Sequence, residues 1–155
     1  HNAQLCLTNP EVIEKAISFT LERVRKNYPT VKHYGLSPSD AFGYCTCPAC
    51  HALDEREGSP SGSLIAFVNR VAEAVRKDYP DVLIRTSAYL YTRTAPKTLR
   101  CGDNVLVNLC TDTCDLSVPL ARNRYRWWRL PTMFQDDLRS WRKICCLPRR
   151  NTPTV

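Results

Sequence analysis

Apolar residues recur at three- and four-residue spacing in two stretches of the chain, and this spacing predicts two amphipathic helices. The first begins at Asn9-Pro10, since asparagine caps a helix and proline suits its first position, and it ends at Asn27. The second begins near Ser61 or Ser63, either of which can cap it, and ends before Tyr79. The predicted buried stripes are Val12, Ile13, Ala16, Ile17, Leu21 and Val24, and then Leu64, Ile65, Phe67, Val68, Val71, Ala72 and Val75.

Short apolar and β-branched runs predict strands around these helices. Strands and helices alternate along the chain, which predicts parallel strands with helices packed outside them. Both helices run into the next strand through a similar joint, Asn-Tyr-Pro-Thr-Val at 27–31 and Asp-Tyr-Pro-Asp-Val at 78–82, as in a repeated βα unit. The predicted strands are 4–7, 31–37, 81–89 and 104–110, with a further helix over 134–144 and a long polar loop over 38–60.

The number of strands limits the fold. A closed (β/α)8 barrel needs eight strands and about 250 residues, whereas this chain has 155 residues. The chain is therefore at most half of a TIM-type barrel, either as a small open α/β sheet or as a piece cut from a larger enzyme, with one domain over residues 4–144 and an unstructured tail over 145–155. Unpaired strand edges in half a barrel lead us to expect self-association.

Composition narrows the class of protein. An apolar fraction of 43% and a charged fraction of 24% are typical of a soluble globular domain. No apolar run approaches the length of a membrane span, and the start His1-Asn2-Ala3-Gln4 has no signal-peptide pattern. We expect no membrane partner.

A cluster of cysteines follows the second predicted strand, with Cys45, Cys47 and Cys50 spaced C-x-C-x-x-C and His51 next to them. Three thiolates at this spacing predict a structural zinc ion, with His51 or a distant cysteine such as Cys110 or Cys114 as the fourth ligand. A disulfide that holds the loop is an equal alternative. Cys6 stands alone in the sequence.

Two other functions of the same cysteines fit less well. The cysteines of a thioredoxin-type redox pair lie at the start of a helix. In this chain the next predicted helix begins well after Cys50. Covalent haem attachment through Cys47, Cys50 and His51 does not suit a parallel-strand pattern, and Met133 is the only methionine in the chain.

Polar and aromatic residues gather where the predicted strands end. In parallel α/β folds these ends carry the chemistry. Tyrosine rings stack on sugar faces while carboxylates and amides hold hydroxyls, so the mixture predicts a carbohydrate site. Asp40 is the candidate catalytic carboxylate, although aspartate in Ser37-Pro38-Ser39-Asp40 also suits a turn. Asp112 and Asp115 are more typical of loop residues. The candidate sugar-binding residues are Tyr44, Tyr89, Tyr91 and Asn108.

Positive charge accumulates toward the carboxyl end, within a net charge of +7. Arginines between Arg122 and Arg150 alternate with Tyr125, Trp127 and Trp128, a mixture that can bind phosphates and stack on bases. Arginine and tryptophan also line carbohydrate clefts and exposed helix faces, so nucleic acid is not the favoured partner.

Five motifs in order extend this interpretation, and the strand over 104–110 and the Asp137-Leu138-x-x-Trp141 helix continue them. The five motifs are 4–12, Ser37-Pro38-Ser39-Asp40 with Gly43-Tyr44-Cys45-x-Cys47-x-x-Cys50, Phe67-Val68-Asn69-x-Val71-Ala72, Tyr79-Pro80-Asp81-Val82 and Ala88-Tyr89-x-Tyr91-Thr92. Together these segments resemble the bacterial domain family of unknown function 4838, over roughly residues 4–144.

The resemblance implies the catalytic (β/α)8-type domain of a secreted or periplasmic carbohydrate-active enzyme. Characterised relatives are retaining endo-β-N-acetylglucosaminidases acting on complex N-glycans, in glycoside hydrolase family 163, and need no cofactor for hydrolysis. Family members continue after the Trp141 helix into a further strand, whereas this sequence runs into Cys146-Leu147-Pro148-Arg149-Arg150. We therefore expect an incomplete barrel, inactive alone, that lacks at least one member of the acid/base pair. The alternative is a non-catalytic module, stabilised by zinc or a disulfide, that binds carbohydrate or nucleic acid.

Overall fold

A computed structural model describes residues 4–111, 117 and 134–145. Four α-helices and three strands occur in these ranges, with a short 3₁₀ turn over Leu90–Thr92. The order is α1 (Pro10–Asn27), β1 (His33–Gly35), α2 (Pro48–Glu57), α3 (Ser61–Asp78), β2 (Leu83–Ala88), β3 (Val105–Leu109) and α4 (Phe134–Ile144).

The three strands form one open, all-parallel sheet in the order β1-β2-β3. This mixed α/β arrangement is consistent with part of an α/β barrel and confirms the predicted fold class. The predicted strand over 4–7 is not a strand. Its Gln4 backbone amide donates one hydrogen bond to the carbonyl of Gly43, 2.8 Å away, and the described residues offer it no strand ladder.

Helices α1, α3 and α4 lie on one face of the sheet, and α2 packs on α3. Ile84, Thr86 and Ala88 alternate with more exposed residues along β2 and are fully buried. Side chains of α1 and α3 pack with Tyr34, Ile84 and Val105 in the main core, while Trp141 and Ile144 of α4 form a second cluster around Ile65 and Ala88. Because strand side chains alternate between faces, Ser87 and Asn108 point away from these helices.

The caps of α1 and α3 differ in kind. Asn9 caps α1 as predicted, because its side-chain oxygen accepts from the backbone amides of Glu11 at 2.8 Å and Val12 at 3.4 Å. The predicted serine cap of α3 is wrong: Pro60 occupies the cap position and makes no side-chain cap bond. Asp54 of α2 takes over this role, since its Oδ1 accepts from the backbone amide of Ser63 at 2.7 Å.

The predicted loop over 38–60 is also wrong in its second half, where α2 lies. Cys47 caps this helix, Pro48 begins it, and Gly58 ends it in the left-handed conformation at φ 70°. Glycine adopts that conformation without the penalty of a Cβ atom. The polar sequence of α2 hid it from a search for apolar periodicity.

The carboxyl-terminal helix is tied to the sheet in two ways. Cys145 forms a disulfide with Cys101, in the segment before β3. The Trp141 indole also donates a 2.6 Å hydrogen bond to the carbonyl of Arg93, just after the 3₁₀ turn. Of the predicted tail over 145–155, Cys145 lies within the described residues. No helix in the described ranges is long and apolar enough to cross a membrane.

Candidate functional site

Four cysteines meet beside the start of α2. The sulfur atoms of Cys6, Cys45, Cys47 and Cys50 all lie within 4.8 Å of one another, and Cys50 is buried. The Cys6 sulfur is 3.6 Å from that of Cys47 and 3.9 Å from that of Cys50. These distances exceed the roughly 2.05 Å of a disulfide bond, and all four residues are unpaired cysteines. The cluster has the composition and spacing of a site that could hold a metal ion.

Cys6 was missed as a member of the cluster, and the proposed fourth ligands His51 and Cys110 do not belong to it. Cys114 lies outside the described residues. Cys6 precedes α1, while the other three cysteines follow β1, so neither spacing nor sequence distance links them.

Hydrogen bonds to the sulfur atoms, together with burial, shift the pKa values of the four thiols. The backbone amide of Cys50 donates to the sulfur of Cys47 over 3.5 Å, which together with the Thr8 hydroxyl lowers the Cys47 pKa to about 6. The Thr8 side chain also lowers the pKa of Cys6, whereas burial raises that of Cys50. The Cys47 backbone amide acts to lower the pKa of Cys45, but burial and the neighbouring thiols together outweigh it and raise that pKa to about 12. Ionising all four thiols would bring four negative charges close together, and a bound cation would offset their repulsion.

The predicted sugar-site residues come together at the carboxyl ends of β1 and β2. The Tyr89 hydroxyl donates to Oδ1 of Asp40 over 3.1 Å, joining the loop after β1 to the end of β2. The Tyr44 and Tyr91 rings stack with their centroids 4.9 Å apart and their planes 25° from parallel. Asp40 and Tyr44 are exposed, whereas Tyr89 and Tyr91 are half-buried.

A tight turn presents the two tyrosines that follow β2. Leu90 lies between them at φ 48°, a left-handed conformation that a residue with a side chain adopts only when its surroundings impose it. Buried Thr92 supplies that constraint: its hydroxyl accepts from the Tyr89 amide at 3.1 Å and donates to the Tyr89 carbonyl at 2.9 Å. The turn therefore fixes the directions in which Tyr89 and Tyr91 leave the sheet.

Asn108 lies nearby on the open face of the sheet. It is exposed and pairs in register with Ser87, whose hydroxyl accepts from that of Ser37 at 3.2 Å. Ser37, Ser87 and Asn108 thus form a polar row across the ends of the three strands. Asp112 and Asp115 lie outside the described residues, as does the aromatic part of the basic segment.

Two cavities flank the tyrosine pair. One of about 580 Å³ reaches Tyr91 and is lined mainly by apolar side chains, among them Phe19 and Phe67. The other, of about 380 Å³, is bordered by Tyr44 and by the polar groups His51, Asp54, Glu55 and Lys97. Burial, and secondarily the charge of Asp54, raise the pKa of Tyr91 to about 12, so its phenol stays protonated at neutral pH.

The sequence matches the family described as "Domain of unknown function (DUF4838)" over residues 1–146. The chain belongs to this family. Neither the curated proteins nor the solved structures contain a match to it. Among the described residues of this DUF4838 chain, the strand-end tyrosines with Asp40 and the four clustered cysteines are the groups whose side chains could bind a ligand.

Proposed function

We propose that this DUF4838 chain is part of a carbohydrate-active glycoside hydrolase, and that Asp40, Tyr44, Tyr89 and Tyr91 bind its sugar. We call these four residues the strand-end surface. The observation that carries the proposal is the hydrogen bond from Tyr89 to Asp40 beside the stacked Tyr44–Tyr91 pair. Parallel α/β folds place their active sites at this end of the sheet.

The chemistry of the strand-end surface suits a sugar. Tyr44 is 41% exposed, so the part of its ring that Tyr91 leaves uncovered can receive the apolar face of a pyranose. Asp40 can accept hydrogen bonds from sugar hydroxyls. The neighbouring polar cavity offers further partners in His51, Glu55 and Lys97. A few placed polar groups beside aromatic surface are typical of small-molecule sites.

We propose Asp40 as one of the two carboxylates that glycoside hydrolysis uses. Tyr89 holds its orientation through the 3.1 Å hydrogen bond. The resemblance to glycoside hydrolase family 163 favours complex N-glycans as substrate and endo-β-N-acetylglucosaminidase as activity. The Cys101–Cys145 disulfide supports a secreted or periplasmic protein, because disulfides persist in oxidising compartments.

Substituting Asp40→Asn tests this assignment, because the amide keeps the shape of the side chain and removes its charge. We expect affinity for an N-glycan glycopeptide to fall by roughly tenfold, the effect of losing hydrogen bonds to a charged group. Asp103→Asn is the matched control, since Asp103 is exposed and pairs with Arg76 of α3 at 2.8 Å. Isothermal titration calorimetry gives both affinities. Equal affinities for the two variants would remove Asp40 from the site.

We also propose that Cys6, Cys45, Cys47 and Cys50 bind one zinc ion. Sulfurs at the corners of a tetrahedron, each about 2.3 Å from the metal, are roughly 3.8 Å apart, and the distances of 3.6 Å and 3.9 Å agree with this. Four protein ligands leave no open position, so the ion would be structural and supply no catalytic step. The Thr8 hydroxyl, 3.2 Å from the Cys50 sulfur, would support the ligand set from outside.

Native mass spectrometry tests the metal. We expect one zinc ion per chain in the wild type and a loss of zinc in Cys47→Ser. Cys110→Ser is the control, because Cys110 lies outside the cluster. A wild-type chain that binds no zinc when zinc is supplied under reducing conditions would contradict the assignment.

A further inference from the structure

The cysteine cluster joins two segments that are far apart in the sequence. Cys6 lies just before α1, whereas Cys45 and Cys47 lie between β1 and α2 and Cys50 lies in the first turn of α2. The Thr8 hydroxyl strengthens the junction from the α1 side through its 3.2 Å contact with the Cys50 sulfur. A metal bound to all four sulfurs would therefore fix the segment 4–8 against the segment 45–50.

Gln4 extends this junction along the loop. Its side-chain nitrogen donates to the carbonyls of Ser39 and Ala41, both at 2.7 Å, and its side-chain oxygen accepts from the Ser39 amide at 3.1 Å and hydroxyl at 2.9 Å. The Gln4 backbone amide adds the 2.8 Å bond to Gly43. One residue thus makes five hydrogen bonds to the loop.

The same loop carries half of the strand-end surface. Asp40 lies between the two carbonyls that Gln4 holds, and Tyr44 lies between Gly43 and the cluster residue Cys45. Over residues 38–47 the chain has neither a helix nor an extended strand, and Phe42 at its centre is 62% exposed. The loop touches the end of β2 through the Tyr89 bond to Asp40 and the Tyr44–Tyr91 stack, and Gln4 and the cysteine cluster hold it from the other side.

We infer that metal binding at the four cysteines positions the loop 38–47 through Gln4, so that glycan affinity at the strand-end surface depends on the metal. Gln4 and Cys6 are positioning residues in this scheme, because neither needs to touch the sugar. The link to glycan affinity rests on the proposed function, whereas the link between metal and loop stands without it.

Hydrogen exchange on the full chain tests the link between metal and loop. We compare the zinc-loaded protein with protein stripped of metal by a chelator, both under the same reducing conditions so that the Cys101–Cys145 disulfide is in the same state in the two samples. Removal of zinc is expected to speed exchange in peptides covering 38–47 by at least about tenfold, as expected of a local opening. Peptides from the core of α3 and from β2 are expected to keep their rates. Unchanged exchange in 38–47, or an equal rise in α3, would overturn the inference.

Gln4→Ala separates positioning from metal binding. The variant retains all four cysteines, so it should still bind one zinc ion by native mass spectrometry while the loop exchanges as fast as in the stripped wild type. Gln4→Glu keeps an oxygen that can accept the two bonds from Ser39 but places a carboxylate oxygen against the carbonyls of Ser39 and Ala41, so its loop should exchange at least as fast as that of Gln4→Ala. A loop in Gln4→Ala that stays as protected as in the zinc-loaded wild type would contradict the role of Gln4.

The link between the metal and glycan affinity is tested with the same samples, and an N-glycan glycopeptide is the probe. The stripped wild type and zinc-loaded Gln4→Ala are both expected to bind it about tenfold more weakly than the zinc-loaded wild type, because Asp40 and Tyr44 are no longer held in place. Equal affinity in all three samples would overturn the link to glycan affinity. If the zinc-loaded wild type binds no glycan, the proposed function fails, and the exchange data still decide the link between metal and loop.

Discussion

Glu57 is the charged residue whose burial most needs an explanation at the scale of single side chains. It is 1% exposed, and burial by itself would raise its pKa. Hydrogen bonds outweigh that effect: Oε2 accepts from the amides of Thr98 at 2.7 Å and Leu99 at 3.0 Å, and Oε1 accepts from the Thr98 hydroxyl at 2.6 Å. The pKa falls to about 2. The carboxylate thereby holds the end of α2 to Thr98 and Leu99.

Glu57 should make the stability of the chain depend on pH. Because the folded-state pKa is lower than the unfolded value, its contribution is complete above the unfolded pKa of about 4.3 and is lost as the pH falls toward 2. Glu57→Gln should reduce the free energy of unfolding by about 1–3 kcal/mol at pH 7. Urea denaturation from pH 7 to 2.5 should show this difference shrinking below pH 4. A difference that is constant with pH would show that the charge of Glu57 is irrelevant.

At the scale of secondary-structure elements, α2 packs closely against the first turn of α3. Gly62 in the first turn of α3 faces α2, and a Cβ atom there would lie 2.8 Å from Cβ of Glu57 and 3.3 Å from Oδ1 of Asp54. Asp54 itself is 8% exposed, and its bonds to Ser63 cap α3. The short link between the helices is therefore built around a glycine and a capping carboxylate.

Gly62→Ala should destabilise the protein even though alanine favours helices by up to about 1 kcal/mol over glycine. The new methyl group cannot fit without moving α2, and overpacking of this kind costs about 1–3 kcal/mol. Gly35→Ala in β1 is the control, because no atom of another segment lies within 4 Å of the position that a Cβ would take there. Thermal unfolding should show a lower Tm for the first variant and little change for the second. A raised Tm in Gly62→Ala would mean that the two helices separate easily.

The sequence predicted some helices more accurately than others. Apolar periodicity gave α1 and α3 closely, the Asn9 cap marked the start of α1, and α4 runs over the predicted residues Phe134–Ile144. Helix α2 was missed because its sequence, Pro48–Glu57, is polar and its burial comes from contact with α3. In the candidate site, local spacing gave three cysteines, whereas Cys6 required knowledge of the fold. Sequence patterns record local preferences, and contacts between distant segments leave weaker traces.

At the scale of the whole molecule, the helices cover one face of the sheet and leave Ser87 and Asn108 on the other. In a barrel, that uncovered face would turn inward, and the strand-end surface would open at its mouth. β1 and β3 are the outer strands of the sheet among the described residues. Self-association through such edges remains our expectation for the isolated chain.

The central claim is that the strand-end surface binds glycan, and the most direct test compares two tyrosines. Tyr44 is 41% exposed and stacks on Tyr91 after β1; Tyr28 is 40% exposed and packs on Tyr79, with centroids 5.1 Å apart, before β1. The two therefore present similar rings at opposite ends of the sheet.

The measurement is calorimetric titration of an N-glycan glycopeptide into the zinc-loaded chain carrying Tyr44→Ala or Tyr28→Ala. We predict that Tyr44→Ala weakens binding by about tenfold, the loss of one aromatic contact, and that Tyr28→Ala binds as the wild type does. Equal affinity for both variants, or no binding by the wild type, would contradict the account.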